Sequence, residues 1–246
     1  MPAKVLVLYD PPYADSFQPF REFFPFWEIR VGALTPRERW SRIVPDYRVY
    51  LCPASELAEV ASALAPHNPV KEPEQITEDA IFVASTLIPG PGFNPVAVAD
   101  KGNNPFCKRM TGAAFKELLQ SSALSLQPSG EGRDFLIVRK PWETVTHLST
   151  AIKWDARFFD GMRVWGNITV VGPSDELHCS PTASVMPFVV ADTTHGPVII
   201  DDGAEVKSHS LLEGPLYIGK KTFVLGGKVS GSDRKSTRLN SSHVSQ

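Results

Sequence analysis

The chain has 246 residues, 42% of them hydrophobic and 21% charged, with a formal net charge of -2. That is the composition of a globular protein with room for one large or two modest domains, and it leaves no electrostatic footprint for nucleic acid or an anionic membrane. No apolar run approaches the ~20 residues of a membrane span, and the three widely spaced cysteines (Cys52, Cys107 and Cys179) point to a reducing cytoplasm rather than a disulfide framework or a zinc site.

Lys4 to Tyr9 (KVLVLY) is a short apolar run stopped by Asp10-Pro11-Pro12. It is too short for a signal peptide and reads as a buried first strand of a mostly parallel sheet. Phe17, Phe20, Phe23, Phe24, Phe26 and Trp27 follow without a clean period, and Pro19 and Pro25 exclude a long helix. A loop packed across the end of the sheet is expected there. At Thr35-Pro36-Arg37-Glu38 a helix begins, with Thr35 as N-cap, Pro36 at the first helical position and Glu38 closing a capping box.

Further strands are expected at Arg48–Leu51, Ile81–Ala84 and Phe135–Val138. Helices are expected at Ser55–Leu64 and Ala114–Leu119, the former with Leu57, Val60, Ala61 and Leu64 on one face. Pro128 to Gly132 reads as a loop. This alternation argues an α/β domain with a parallel sheet. Thr144 to Phe159 reads as a helical connector carrying Val145, Leu148, Ile152 and Phe159.

Beyond the connector the period changes. From Ile200, steps of six land on Val206, Leu212, Ile218 and Val224, all aliphatic. Four residues after each come Ala204, Ser210, Leu216, Thr222 and Lys228, and turn-forming or polar residues fill the gaps. A period of six fits neither a helix nor simple alternation. It fits a parallel β-helix better than an antiparallel meander with glycine turns, because each six-residue unit is one short strand and one corner. Cys179/Ala183 and Val185/Val189 keep the spacing, and ADTTHGP breaks it before Ile200.

This periodic stretch resembles the hexapeptide-repeat, left-handed β-helix proteins, and the handedness comes from that resemblance. Upstream, the early strand, the aromatic loop, EIRVGALTPRERW (Glu28–Trp40) and KPWETVTHLSTAIKWD (Lys140–Asp155) resemble a divergent family of sugar nucleotidyltransferase-like proteins. Those proteins are similar to the N-terminal half of bifunctional N-acetylglucosamine-1-phosphate uridyltransferase, with a β-helix behind it. The resemblance runs over most of Met1 to Ser232 and is weak from Pro66 to Glu131. It implies a nucleotide-diphospho-sugar transferase-like, Rossmann-like α/β domain (residues 1–140), a helical connector (141–165) and a truncated left-handed β-helix (166–232). Residues 233–246 are set apart, because DRKSTRLNSSH (Asp233–His243) resembles the translation of a sequencing-library adapter and reads as an artefactual tail.

The same resemblance implies a cytoplasmic enzyme that joins a nucleoside triphosphate to a sugar phosphate. It also implies magnesium and a homotrimer built through the β-helix, while the charge and the lack of a long apolar run argue for no nucleic-acid partner and no membrane insertion. Such chemistry needs cations or donors around the α-phosphate and a carboxylate-held metal. The uridyltransferase meets that need with a Gly-rich loop after the first strand and an Asp at the end of a central strand. Here YDPPYADSFQPFREF has no glycine, Phe24-Pro25 stands where the divergent family usually carries Arg-Pro, and Ser85 stands where the Asp is expected.

The catalytic candidates are therefore Arg30 and Asp10, with Arg21, Gly32 and Lys140 as phosphate-binding candidates. Asp79 is another carboxylate near a strand end. Each has an ordinary reading as well: Arg30 as an ion-pair partner of Glu28 or Glu38, Asp10 as a turn residue, and Lys140 as a solvated lysine. A second chemistry is acyl transfer by the β-helix from acyl-coenzyme A, with His195 as base and Asp192 three residues away; His209 should face solvent at a corner. The missing loop and the missing Asp leave a third reading, a non-catalytic trimeric binding module.

Overall fold

A computed structural model of the chain describes residues 4–12, 17–102, 104–120, 134–159 and 168–231. The loop expected at 128–132 and the tail at 233–246 lie outside the described residues. Contacts divide the chain into two compact units, Met1–His147 and Leu148–Gln246.

The first unit is built on β1 (Val5–Tyr9), α1 (Pro36–Ile43), β2 (Arg48–Cys52), α2 (Ala58–Leu64) and β3 (Ala80–Ala84). Strands β1 and β2 pair in parallel, as do β1 and β3, so β1 is central. Every residue of β1 and β3 is buried, which is why both read as continuous apolar runs rather than alternations. The expected capping box forms: Glu38 N–H donates to Thr35 Oγ1 (3.2 Å) and Thr35 N–H donates to Glu38 Oε2 (2.8 Å). The helix expected from Ser55 opens as a 3₁₀ turn, Ser55–Leu57, before α2. Ala61 is buried, but Leu64 at its end is exposed.

Next come β4 (Leu87–Pro89), α3 (Pro95–Lys101), β5 (Cys107–Met110), α4 (Gly112–Gln120), β6 (Phe135–Ile137) and α5 (Pro141–Thr146). Strand β4, helix α3 and strand β5 are not expected from the sequence, and β6 pairs differently from the expected sheet. Strand β5 joins the edge of the sheet antiparallel to β3, giving the order β2-β1-β3-β5. It went unread because its CKRM pattern is only half apolar, as suits an edge strand, with Arg109 tied to Asp79 and Asp100. Strand β6 is a strand as expected, yet it pairs antiparallel with β4 in a separate two-stranded ribbon.

The second unit starts with α6 (Leu148–Asp155) and, among the described residues, continues as ten short strands. They are β7 (Ile168–Val171), β8 (Leu177–Cys179), β9 (Ser184–Val185), β10 (Val189–Asp192), β11 (Val198–Ile200), β12 (Glu205–Val206), β13 (Ser210–Glu213), β14 (Leu216–Ile218), β15 (Phe223–Val224) and β16 (Gly227–Ser230). Each pairs in parallel with its equivalent one coil on, in three sheets: β7-β10-β13-β16, β8-β11-β14 and β9-β12-β15. This is a parallel β-solenoid with three short sheets, consistent with the left-handed β-helix that the resemblance implied. Ile200, Val206, Leu212, Ile218 and Val224 all point inward and are buried. Each contributes about 1.5–3 kcal/mol over an exposed side chain. Ala204, Ser210 and Leu216 are buried beside them, while Lys228 is exposed.

The break at ADTTHGP is a longer corner. The coil from Cys179 to its partner Ile200 has three more residues than the coil from Ile200 to Ile218. The extra residues lie between β10 and β11, over the comparable corner between β7 and β8. Thr193 Oγ1 links the two corners, lying 2.7 Å from Pro173 O and 3.1 Å from Val171 O, with its one proton shared between these carbonyls. Close stacking at this corner requires glycine: a Cβ on Gly214 would sit 2.0 Å from Gly196 O.

Helix α6 packs against β14. The outward row of that sheet is His178, Ile199 and Tyr217, aligned by the register. Ile199 is 0% exposed although it alternates with inward Val198 and Ile200. The segment after α6 covers the same row: Phe159 O lies 3.2 Å from His178 Nδ1, and the Phe159 ring centroid lies 6.2 Å from that of Tyr217.

Candidate functional site

In the first unit the chain leaves β1 on one side for β2 and returns on the other side for β3. That reversal makes the carboxyl ends of β1 and β3 a topological switch point, the place where open α/β sheets bind ligands. Asp10 follows β1 and Ser85 follows β3, so both stand at this point. Ser85 Oγ donates to Asp10 Oδ1 at 2.7 Å, and Phe26 N–H donates to Asp10 Oδ2 at 3.2 Å. Ser85 N–H is anchored on Tyr9 O at 2.8 Å.

Asp10 is 8% exposed. Burial pushes its carboxyl up from 3.8 to about 6, against the two hydrogen bonds and the positive charge of Arg21, which favour the ionised form. A carboxylate poised near neutrality at a strand end differs from an ordinary turn residue, because it changes charge in the working range of an enzyme.

The other candidates are placed as follows. Arg21 lies in the 3₁₀ turn Phe20–Glu22, half-buried, with its charge acting on Asp10. Gly32 is buried in a tight turn in which Val31 N–H bonds Leu34 O (3.3 Å), and its φ of 85° is one that glycine adopts without strain. Arg30 bonds the Ala33 carbonyl and pairs with Glu38 at 3.6 Å, while Glu28 is taken by Arg37. Lys140 is exposed, with Nζ 5.0 Å from the centroid of the Trp142 ring.

Asp79 is exposed and precedes β3, at the amino end of the sheet, away from Asp10. A cavity of about 290 Å³ also lies toward that amino end, lined by Tyr47, Arg48, His67 and Asn68 among others. It is at the wrong end of the strands to serve Asp10. In the second unit, His195 is exposed on the long corner. Asp192 beside it accepts from Thr194 N–H at 2.9 Å, and the Thr194 hydroxyl together with that N–H holds its carboxyl below the usual range. His209 is exposed, as expected, and stacks on Phe188 with ring centroids 5.5 Å apart.

One pairing and one residue escaped the sequence reading. The pairing of Ser85 with Asp10 depends on which strands are neighbours, and one sequence does not fix that order. Arg39, inside EIRVGALTPRERW, is 0% exposed and donates through Nη2 to the carbonyls of Val31 and Leu34, holding the turn that contains Gly32. An arginine one turn into a helix normally reads as solvated, so no local signal marks it.

A family model described as "Sugar nucleotidyl transferase" matches residues 6–164, well over half of the chain. The chain belongs to this family. No curated protein matches it. The matched span contains all of β1 but Val5, the Asp10–Ser85 pair, the Gly32 turn and the α5–α6 segment, whereas the solenoid from β7 onward lies outside it. In this sugar nucleotidyl transferase family member the three cysteines are free and buried, with their thiols pushed up to between about 11 and about 12 by burial. That leaves them inert near neutral pH. Among the described residues no helix is long and apolar enough to cross a membrane.

Proposed function

We propose that the first unit binds a nucleoside triphosphate and a sugar 1-phosphate at the carboxyl ends of β1 and β3 and joins them into a nucleotide sugar. A phosphate oxygen of the sugar phosphate attacks the α-phosphorus, and the bond to the departing pyrophosphate breaks. The nucleophile is already ionised, so the protein's task is to position the two anions and offset their charge. Buried Asp10, held by Ser85 and Phe26 and acted on by Arg21, is the observation that carries this reading.

Arg21 supplies a cation whose charge acts on Asp10, and Arg30, bound to Glu38 and the Ala33 carbonyl, is a second candidate for contact with phosphate. The Gly32 turn, braced by Arg39, offers backbone in place of the Gly-rich loop. Among the described residues no three His, Cys, Asp or Glu side chains gather as a metal cage. Magnesium needs no such cage: it takes one or two carboxylates plus substrate phosphates, and Asp10 with the Ser85 hydroxyl offers two hard oxygen donors. Bound there, the ion would offset charge on the triphosphate. The location is cytoplasmic in this reading, and the solenoid assembles the chain into a trimer.

The test is pyrophosphate release with magnesium and a panel of nucleoside triphosphates and sugar 1-phosphates. Release that drops at least a hundred-fold in Asp10→Ala and in Arg21→Ala supports the proposal. Nucleotide binding without release for any pair replaces it with the non-catalytic binding module. The absence of binding rejects it.

A further inference from the structure

The chain between β1 and the Gly32 turn is anchored at two points in the core. Phe17 and Phe26 are 1% and 0% exposed, with ring centroids 4.6 Å apart at 67°. Between them the 3₁₀ turn Phe20–Glu22 projects outward, closed by Phe23 N–H and Phe24 N–H, both donating to Phe20 O at 3.1 Å. Three phenyl rings stand out of it: Phe20 is 57% exposed, Phe23 61% and Phe24 46%. Side chains three apart on a 3₁₀ turn eclipse one another, so Phe20 and Phe23 share one side. An anchored turn that holds three large apolar rings in water marks a binding surface.

Two observations select its occupant. Arg21 sits within the same turn and its charge reaches Asp10. Phe26, where the turn returns to the core, donates its N–H to the Asp10 carboxylate. The rings therefore stand on a turn that carries a cation and whose chain returns to the Asp10 carboxylate through Phe26, which suits a ligand with a flat apolar part and an anionic part.

We infer that the Phe20–Phe24 turn is the stacking subsite for the base of the nucleotide, with Phe20 and Phe23 as its platform and Arg21 leading toward the phosphates. This rests on the nucleotide-binding reading above. It also bears on selectivity: a π-face is common to every base, so a platform of this kind tolerates several nucleotides.

The experiment compares the 246-residue chain with Phe20→Ala/Phe23→Ala and Phe20→Trp/Phe23→Trp, titrating nucleoside triphosphates and inorganic tripolyphosphate by calorimetry. The expected result is nucleotide affinity about tenfold or more weaker in the alanine variant, retained in the tryptophan variant, with tripolyphosphate binding unchanged in both. Equal nucleotide affinity in all three chains overturns the subsite and leaves the nucleotide reading intact. Tripolyphosphate binding without any gain for nucleotides also overturns it. A change of oligomeric state in the alanine variant at unchanged nucleotide affinity identifies the rings as a protein interface instead. Failure of the unsubstituted chain to bind any nucleotide removes both proposals.

Discussion

Asp10 and Ser85 are far apart in the sequence but meet at 2.7 Å because β1 and β3 are parallel neighbours. Ser85 donates its hydroxyl to the carboxylate that follows the neighbouring strand, so a buried acid and a hydroxyl share the carboxyl ends of β1 and β3. The consequences are measurable.

Asp10 is protonated below about pH 6 and charged above it. If its carboxylate helps hold the triphosphate and magnesium, kcat/KM should fall about tenfold per unit as the pH drops below that value. A pH–rate profile that stays flat down to pH 5 would exclude an ionised Asp10 from the reaction.

Ser85→Ala removes one hydrogen bond that favours the ionised form. The acid limb of the same profile should therefore move to higher pH. An unshifted limb would mean that the titrating group lies elsewhere.

The folded protein holds Asp10 well above its ordinary pKa of 3.8. Its ionisation is then more favourable in the unfolded chain, so this group's contribution to stability is fully present below about pH 4 and is lost as pH rises through about 6, by about 3 kcal/mol in all. Asp10→Asn should accordingly raise the Tm of the first unit at pH 8, and the gain should shrink toward pH 4. Thermal melts at the two pH values check this, and a Tm lowered equally at both would contradict it.

The Thr35 cap closes α1 directly after the Gly32 turn. Thr35→Ala should destabilise the first unit by about 1 kcal/mol. Chemical denaturation gives the value, and Thr35→Ser should restore most of it.

In the solenoid, Leu212→Ala leaves a cavity between coils and should cost about 2–5 kcal/mol. Lys228→Ala changes an exposed side chain paired with Glu213 at 2.9 Å, and should cost less than about 1 kcal/mol. Equal effects in denaturant would show that the six-residue stack is not what stabilises this unit.

The sequence by itself determined the repeating core of the second unit, because the inward positions Ile200 to Val224 recur at a fixed step that no helix or flat sheet can use. It also determined β1, β3 and the Thr35 cap, which depend on local apolar runs and local hydrogen bonds. Only the tertiary structure decided that Asp10 faces Ser85, that Arg39 is buried under the Gly32 turn, that β5 runs antiparallel at the edge, and that Asp79 lies at the other end of the strands. Those are consequences of strand order and crossover direction, which bring distant residues together. They also depend on burial, which sets the charge of a carboxyl group by the water it loses rather than by the residues beside it in the chain.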